Sequence, residues 1–138
     1  MDGNQLVDNL IGNLSGFPKL TVTPLPRISS RRRVFRLDGE IKGIIYVKAI
    51  AHAPHYWGIT KTTINNIIRQ NTAWCVILLY DSEQTGYVIS SKEYYNRTNK
   101  RLWPYAQGDF KISKGKSLQG IPQFKTTREL KARIATLL

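Results

Sequence analysis

A chain of 138 residues is long enough to bury one core but too short for two domains, so we expect a single domain over residues 1–138. Hydrophobic residues make up 41% of the chain, which excludes an intrinsically disordered protein. Its 21 lysines and arginines outnumber its 9 acidic residues, giving a formal net charge of +12. Because a surface of this sign attracts polyanions, nucleic acid is the expected partner.

The elements predicted in chain order begin with a short amphipathic helix. Its apolar residues recur at helical spacing, namely Leu6, Val7, Leu10, Ile11 and Leu14. Gly16 and Pro18 end this helix. Residues 20–25 alternate with threonine as a strand does, and Pro24 and Pro26 limit the length of that strand or place it at a sheet edge. A basic loop with three consecutive arginines follows.

The middle of the chain predicts a hairpin, a helix and a buried strand. Residues 34–37 and 44–50 are rich in β-forming residues and flank a turn over 38–43. Thr60 can cap a helix that carries isoleucines on one face. Residues 74–80 are almost continuously apolar, which is typical of a central strand covered on both faces.

From residue 81 onwards, the chain has few regular hydrophobic patterns. We expect a turn over residues 81–86, a strand over 87–89, and an irregular basic and aromatic segment over 91–120. Thr126 and Glu129 form a capping box that begins a final helix. The predicted fold is therefore of the α/β (α+β) class, with a mixed sheet of about four to five strands and flanking helices.

The expected location is cytoplasmic, with no membrane partner. No apolar stretch reaches the roughly 20 residues of a spanning helix, and the amino terminus lacks the basic region of a secretion signal. Cys75 is the single cysteine and cannot form an internal disulfide, which fits a reducing compartment. We interpret Cys75 as a small hydrophobic residue of the central strand.

Lys48 is the main candidate site residue. It lies inside an otherwise apolar strand, so its amine must reach a solvated edge or a cleft where an anion meets it. A leading helix, a hairpin whose second strand ends in this lysine, then a helix and two strands resemble the PD-(D/E)XK nuclease superfamily over residues 2–89. The resemblance implies a restriction-endonuclease-like core, DNA rather than RNA as partner, and, in an active enzyme, Mg²⁺ held by two acidic residues near the lysine.

The acidic residues of that superfamily have no clear counterparts in this chain. Tyr46 stands two residues before Lys48, where the superfamily has a carboxylate, and a neutral phenol is a poor Mg²⁺ ligand. Residues 31–34, which face Lys48 across the predicted hairpin, include no carboxylate. If the protein is catalytic, the candidate catalytic residues are Lys48, Asp38 and Glu40, and the candidate Mg²⁺ ligands are Asp8 and Asp38.

The basic residues predict contacts with phosphate. The expected nucleic-acid-binding residues are Arg31, Arg32, Arg33, Lys48, Lys61, Arg69, Arg97, Lys100 and Arg101. Arginine is favoured here because its planar guanidinium matches phosphate oxygens. For the later segment, base stacking by its aromatic residues and a satellite core with a charged rim are equal alternatives. Trp57 is interpreted as a core residue, and His55 as a stacked or phosphate-contacting loop residue rather than a zinc ligand.

Three functions follow as hypotheses. The first is a nucleic-acid-binding protein with a degenerate nuclease-like fold that binds the phosphate backbone. The second is a divergent Mg²⁺-dependent endonuclease of restriction, repair or mobile-element type, acting as a homodimer so that both strands are cut. The third is a basic accessory subunit of a nucleoprotein assembly, which would show a gentler loss of affinity with salt than a direct backbone binder.

Overall fold

Four α-helices, one short 3₁₀ helix (Lys116–Leu118) and nine strands are present in the computed structural model, which describes residues 2–138. The helices are α1 (Gly3–Ser15), α2 (Lys61–Ile68), α3 (Ser91–Asn99) and α4 (Thr127–Leu137). The strands are β1 (Leu20–Pro24), β2 (Val34–Gly39), β3 (Gly43–Ile50), β4 (Tyr56–Thr60), β5 (Trp74–Tyr80), β6 (Ser82–Ser90), β7 (Tyr105–Ala106), β8 (Asp109–Ser113) and β9 (Gln123–Phe124).

Most strands belong to one mixed sheet of six strands in the order β1-β2-β3-β5-β6-β9. Its central pair, β3 and β5, is parallel, and all other neighbours are antiparallel. A second sheet of three strands has the order β4-β8-β7. The predicted α/β class with a mixed sheet and flanking helices is confirmed, and the strand number exceeds the four to five expected.

The large sheet is covered on both faces, which explains why every residue of β5 is buried. On one face, α1 and α4 contribute residues such as Leu10 and Ile134 to a core shared with Val47 of β3. On the other face, α2 and the small sheet contribute Ile64 and Trp57 to a second core. Tyr46 and Leu78 of the large sheet belong to this second core.

Cys75 lies within β5 and is fully buried in the first of these cores. Burial raises the pKa of its thiol to about 12, because the charged thiolate would lose its hydration there. The interpretation of Cys75 as a buried hydrophobic residue is confirmed.

The first half of the fold follows the prediction closely. Asp2 caps α1 through a capping box with Gln5, and the helix ends at Gly16. β1 is an edge strand of the large sheet, and β2 and β3 form the predicted hairpin. The buried β5 lies in the middle of the sheet order, also as expected.

Two predictions about the later segments are wrong, and one strand was not predicted. Residues 82–86 of the expected turn are strand, because Asp81 adopts a φ of 63° and the chain reverses there at once into β6. The segment 91–120 is not irregular, since it contains α3, β7 and β8. The approach to α2 is the strand β4, which pairs with β8 and was not predicted.

No helix among the described residues 2–138 is both long enough and apolar enough to cross a lipid bilayer.

Candidate functional site

Lys48 lies near the carboxyl end of β3, beside the parallel strand β5. It pairs with Leu78 of β5, and its side chain is half-buried. On the other side, β2 begins at Val34 opposite Tyr46, so the basic loop rather than a strand lies next to Lys48. The carboxyl ends of parallel strands are where ligands usually bind in open sheets.

A polar cleft of about 440 Å³ opens at this point, and we call it the Lys48 cleft. It is lined by Ile28, Ser29, Ser30, Arg31, Arg33, Tyr46, Lys48, Thr60 and Thr63. These residues come from the basic loop, from β3 and from the start of α2. The structure therefore joins two of the three predicted loop arginines to Lys48 and adds hydroxyl groups around them.

Arg33 is held in place by both its backbone and its side chain. Its carbonyl oxygen accepts a hydrogen bond of 2.8 Å from the backbone nitrogen of Val47. Its guanidinium donates to the backbone oxygen of Arg31 at 3.2 Å and to Oδ1 of Asn4 in α1. These contacts fix the end of the basic loop against β3, so the Arg33 guanidinium is positioned before any ligand arrives.

Positive charge dominates the electrostatics around Lys48. Its pKa is lowered from the usual value, first by burial of the amine and then by the Arg33 guanidinium, with smaller contributions from Arg31 and Lys111. Asp109 is the one carboxylate that acts in the opposite direction. An anion entering the cleft would therefore meet a concentrated and incompletely neutralised positive charge.

Asp109 reaches this region because β8 pairs with β4. It pairs with Thr60, and a Cβ on Gly58 would lie only 2.8 Å from its Oδ2 atom. The missing side chain of Gly58 thus leaves room for the carboxylate. The Nζ atom of Lys111 lies 3.8 Å from the same oxygen, which partly neutralises it.

The start of α2 adds a further positive element to the cleft wall. Thr60 is the N-cap of α2, but its side chain makes no capping hydrogen bond. Its backbone nitrogen lies 3.4 Å from the Tyr46 hydroxyl, which accepts this long hydrogen bond. Thr60 and Thr63 both line the cleft, so the positive end of the helix dipole contributes to its field.

The structure does not bring the predicted carboxylates to Lys48. Asp38 pairs with Thr21 at the far end of the hairpin, roughly 20 Å along the strand from Lys48 at about 3.3 Å per residue. Glu40 lies in the turn after Asp38 and forms an ion pair with Lys131 of α4. α4 packs on the face of the large sheet that is opposite the Lys48 cleft. Asp8 is exposed on α1, which packs on that opposite face.

These positions do not form a Mg²⁺ site with Lys48. Among residues 2–138, no group of three or more histidine, cysteine, aspartate or glutamate side chains could hold a metal ion. Asp109 is the one carboxylate among the described residues that acts on Lys48. Mg²⁺ usually takes one or two carboxylates together with substrate phosphates. The donor set therefore does not fit a Mg²⁺ ion held by the protein alone.

Several predicted phosphate-binding residues lie outside the Lys48 cleft. Arg32 is exposed with a φ of 55° and does not line the cleft. Arg69 follows the carboxyl end of α2 and donates to Asn66, whereas the cleft lies at the amino end. Lys100 and Arg101 are exposed beyond α3. Lys61 is exposed at the start of α2, next to the cleft.

Arg97 has a structural role. Its Nε atom donates to Glu93 at 2.8 Å, and its two terminal nitrogens donate to the backbone oxygens of Ser117 and Gln119 at 3.0 and 2.6 Å. The guanidinium thus anchors the loop that precedes β9. Because its donors already serve the protein, the structure does not support Arg97 as a phosphate contact.

Trp57 and His55 both contact the carboxyl end of β5, and His55 also contacts the residue that follows it. Trp57 is buried and donates its indole N–H to the backbone oxygen of Leu79 at 2.9 Å, so its interpretation as a core residue is confirmed. His55 packs against Tyr80 with ring centroids 5.2 Å apart, and its Nε2 atom lies 2.6 Å from Oδ1 of Asp81. His55 is therefore a loop histidine that packs at a tilt against Tyr80 and contacts the Asp81 carboxylate.

Sequence reasoning missed Asp109, Lys111 and the threonines of α2 as neighbours of Lys48. Asp109 and Lys111 lie in β8, a strand that was not predicted. The position of Tyr46 beside Lys48 could have been predicted, because residues two apart on a strand share a face of the sheet. That alternation places the Tyr46 hydroxyl beside Lys48 without any knowledge of the tertiary structure.

No protein-family model, curated protein or solved structure matches the chain. The functional interpretation accordingly depends on the residues of the cleft and their chemistry. The cleft offers cations and hydroxyl donors to a ligand, together with a single nearby carboxylate.

Proposed function

We propose that this protein is a nucleic-acid-binding module that holds the phosphate backbone in the Lys48 cleft. The observation that carries the proposal is the grouping of Arg31 and Arg33 around a half-buried Lys48. Burial of the Lys48 amine, and then the nearby Arg33 guanidinium, lower the pKa of Lys48, and an anion in the cleft would offset both effects.

The chemistry of the cleft favours phosphate among anions. The Arg31 guanidinium can bind phosphate oxygens in pairs, and the Lys48 amine supplies a point charge. Arg33 adds a positive charge, while its terminal nitrogens donate to the Arg31 backbone oxygen and to Asn4. The serine and threonine hydroxyls of the wall, together with the start of α2, provide further hydrogen-bond donors. With a formal net charge of +12, the whole molecule would also attract a polyanion over longer distances.

DNA is the favoured nucleic acid in this proposal, with a degenerate PD-(D/E)XK nuclease-like fold. Its support is the order of α1, the hairpin of β2 and β3, α2, β5 and β6, with Lys48 near the end of β3. That is the order on which the resemblance is based. The proposal includes a cytoplasmic location, since Cys75 is a free, buried thiol.

We propose binding rather than hydrolysis because too few carboxylates lie near Lys48. A Mg²⁺-dependent endonuclease needs acidic ligands that place the ion next to the scissile phosphate. Asp109 is the one carboxylate that affects Lys48, and it also pairs with Lys111. We therefore assign the cleft to backbone recognition.

Fluorescence anisotropy with labelled DNA and RNA tests the proposal. Lys48→Ala should weaken binding about tenfold, since a lost charged hydrogen bond is worth about 1.5 kcal/mol. The matched control is Lys42→Ala, an exposed lysine at the other end of the same hairpin, which should change little. Equal losses of affinity in both variants would count against the proposal. An affinity that barely falls as salt rises would also count against it, and would favour an accessory subunit that pairs with protein.

A further inference from the structure

A second recess, of about 340 Å³, lies on the other side of α2 and has an aromatic wall. Tyr94 and Phe110 form its inner part, and Tyr95 and Tyr105 form its rim. We call it the aromatic pocket. We infer that the aromatic pocket binds an unpaired nucleobase of the strand whose phosphates occupy the Lys48 cleft. This inference rests on the proposed function and adds that the preferred ligand is a single strand or a strand with an unpaired base.

The exposure of two tyrosines is the first support. Tyr94 is 5% exposed and belongs to the core, but Tyr105 is 52% exposed and Tyr95 is 41% exposed. Tyr105 is held against Phe110 with ring centroids 5.0 Å apart, so its ring is positioned by packing. Rings that are oriented but uncovered are suited to stacking on a base, which has an apolar face of similar size.

The polar groups around the rings are the second support. Asn65 and Asn99 also line the pocket, and a side-chain amide can both donate to and accept from a base edge. The Lys61 amine lies 5.6 Å from the Tyr105 ring centroid. A small hydrophobic cluster that only supports the fold does not require amides and an amine beside exposed rings. A bound nucleotide would use each group: the rings for its base, the amides for the base edge and the amine for its phosphate.

Continuity with the Lys48 cleft is the third support. Thr60 lines the cleft and Lys61, the next residue, lines the aromatic pocket. On the neighbouring strand, Asp109 acts on Lys48 while Phe110 lines the pocket. One strand crossing the start of α2 could therefore place phosphates in the cleft and a base in the pocket. A paired base in a duplex is not available to such a recess unless it is flipped out.

The test compares two single strands of about ten nucleotides, a length within the range bound by single-strand modules. One strand carries its bases, and the other has the same backbone with abasic sites. The wild-type protein should bind the base-bearing strand about tenfold more tightly, because stacking contributes a factor of this order per base. Tyr105→Ala should remove this preference, and Tyr105→Phe should keep it.

Tyr56→Ala is the matched control, because Tyr56 is 57% exposed and lies at the opposite end of the small sheet, paired with Ser113. It should leave the preference unchanged. Equal wild-type affinity for both strands, with a steep salt dependence, would overturn the aromatic pocket but leave the phosphate proposal standing. Binding of duplex DNA without binding of either single strand would overturn the aromatic pocket alone, and failure to bind single strands and duplex DNA alike would overturn both proposals. The wild-type comparison does not depend on whether any variant folds.

Discussion

The backbone nitrogen of Val47 donates a hydrogen bond of 2.8 Å to the carbonyl oxygen of Arg33. Val34, the first residue of β2, pairs with Tyr46. The bond from Val47 to Arg33 therefore extends the hairpin one residue into the loop that precedes β2. The arginine loop is thereby attached to the strand that carries Lys48. Binding at the cleft should accordingly require little rearrangement of the loop, which lowers its entropic cost.

Lys48→Met should separate stability from binding. Methionine has a similar length and removes a charge that is half-buried among other cations. We expect the free energy of unfolding to stay unchanged or to rise by about 1 kcal/mol, while affinity for DNA falls about tenfold. Urea unfolding and anisotropy measure the two effects. A large loss of stability would show that the lysine supports the fold instead.

The stability difference between the wild type and Lys48→Met should depend on pH. The pKa of Lys48 in the folded protein is below its usual value of 10.5, so the unfolded chain binds more protons in the interval between the two. The wild type must therefore gain stability relative to the variant as pH rises through this interval. Unfolding of both proteins from about pH 7 to about pH 10 checks the sign. If the unfolding free energy of the variant minus that of the wild type stays constant or grows as pH rises, the lowered pKa of Lys48 is contradicted.

Arg31→Ala should reduce the salt dependence of DNA binding. If Arg31 neutralises one phosphate, the slope of log affinity against log salt should become shallower by about 0.9. Arg133→Ala is the control, because Arg133 is exposed on α4, beneath the opposite face of the sheet. Titrations over a range of salt concentrations measure both slopes. Identical slopes for the two variants would remove Arg31 from the interface.

Arg97→Ala should destabilise the protein and leave the salt slope intact. Its guanidinium makes three hydrogen bonds within the protein, to Glu93, Ser117 and Gln119. Losing them should cost about 2 kcal/mol in thermal or urea unfolding. Arg101→Ala, at an exposed position, should cost little. If Arg97→Ala instead weakens DNA binding in a fully folded protein, the structural assignment is incorrect.

Supercoiled plasmid should be bound but not nicked. The protein brings Asp109 near Lys48 and leaves Asp38 and Glu40 at the far end of the hairpin. Incubation with Mg²⁺ or Mn²⁺ should therefore leave the plasmid intact on a gel, with a shift in mobility at low salt. Nicking that Lys48→Ala abolishes would instead establish the endonuclease.

The β2–β3 hairpin and the buried strand β5 were predictable because the residues that specify them lie within those segments. The turn after Asp38 sets the register of the hairpin, and that register places the arginine loop beside Lys48. The apolar run of β5 likewise indicated a strand covered on both faces. These two features suffice to identify Lys48 and its loop neighbours.

The remaining parts depend on contacts between distant segments. Only Tyr94 of α3 is buried, so that helix has almost no hydrophobic periodicity to detect. The pairing of Tyr56 with Ser113 joins β4 to a strand far along the chain. Asp109, Lys111 and Phe110 reach the two recesses through this pairing, and no local pattern could have indicated it.

The burial of Cys75 has a practical consequence for measurement. A thiol whose pKa is raised to about 12 and which has no solvent contact will not react with maleimide reagents at neutral pH. A cysteine introduced at an exposed position such as Thr136 would then be the single reactive group. Dyes could be attached there without removing the native cysteine, so fluorescence binding experiments can use a protein with an undisturbed core.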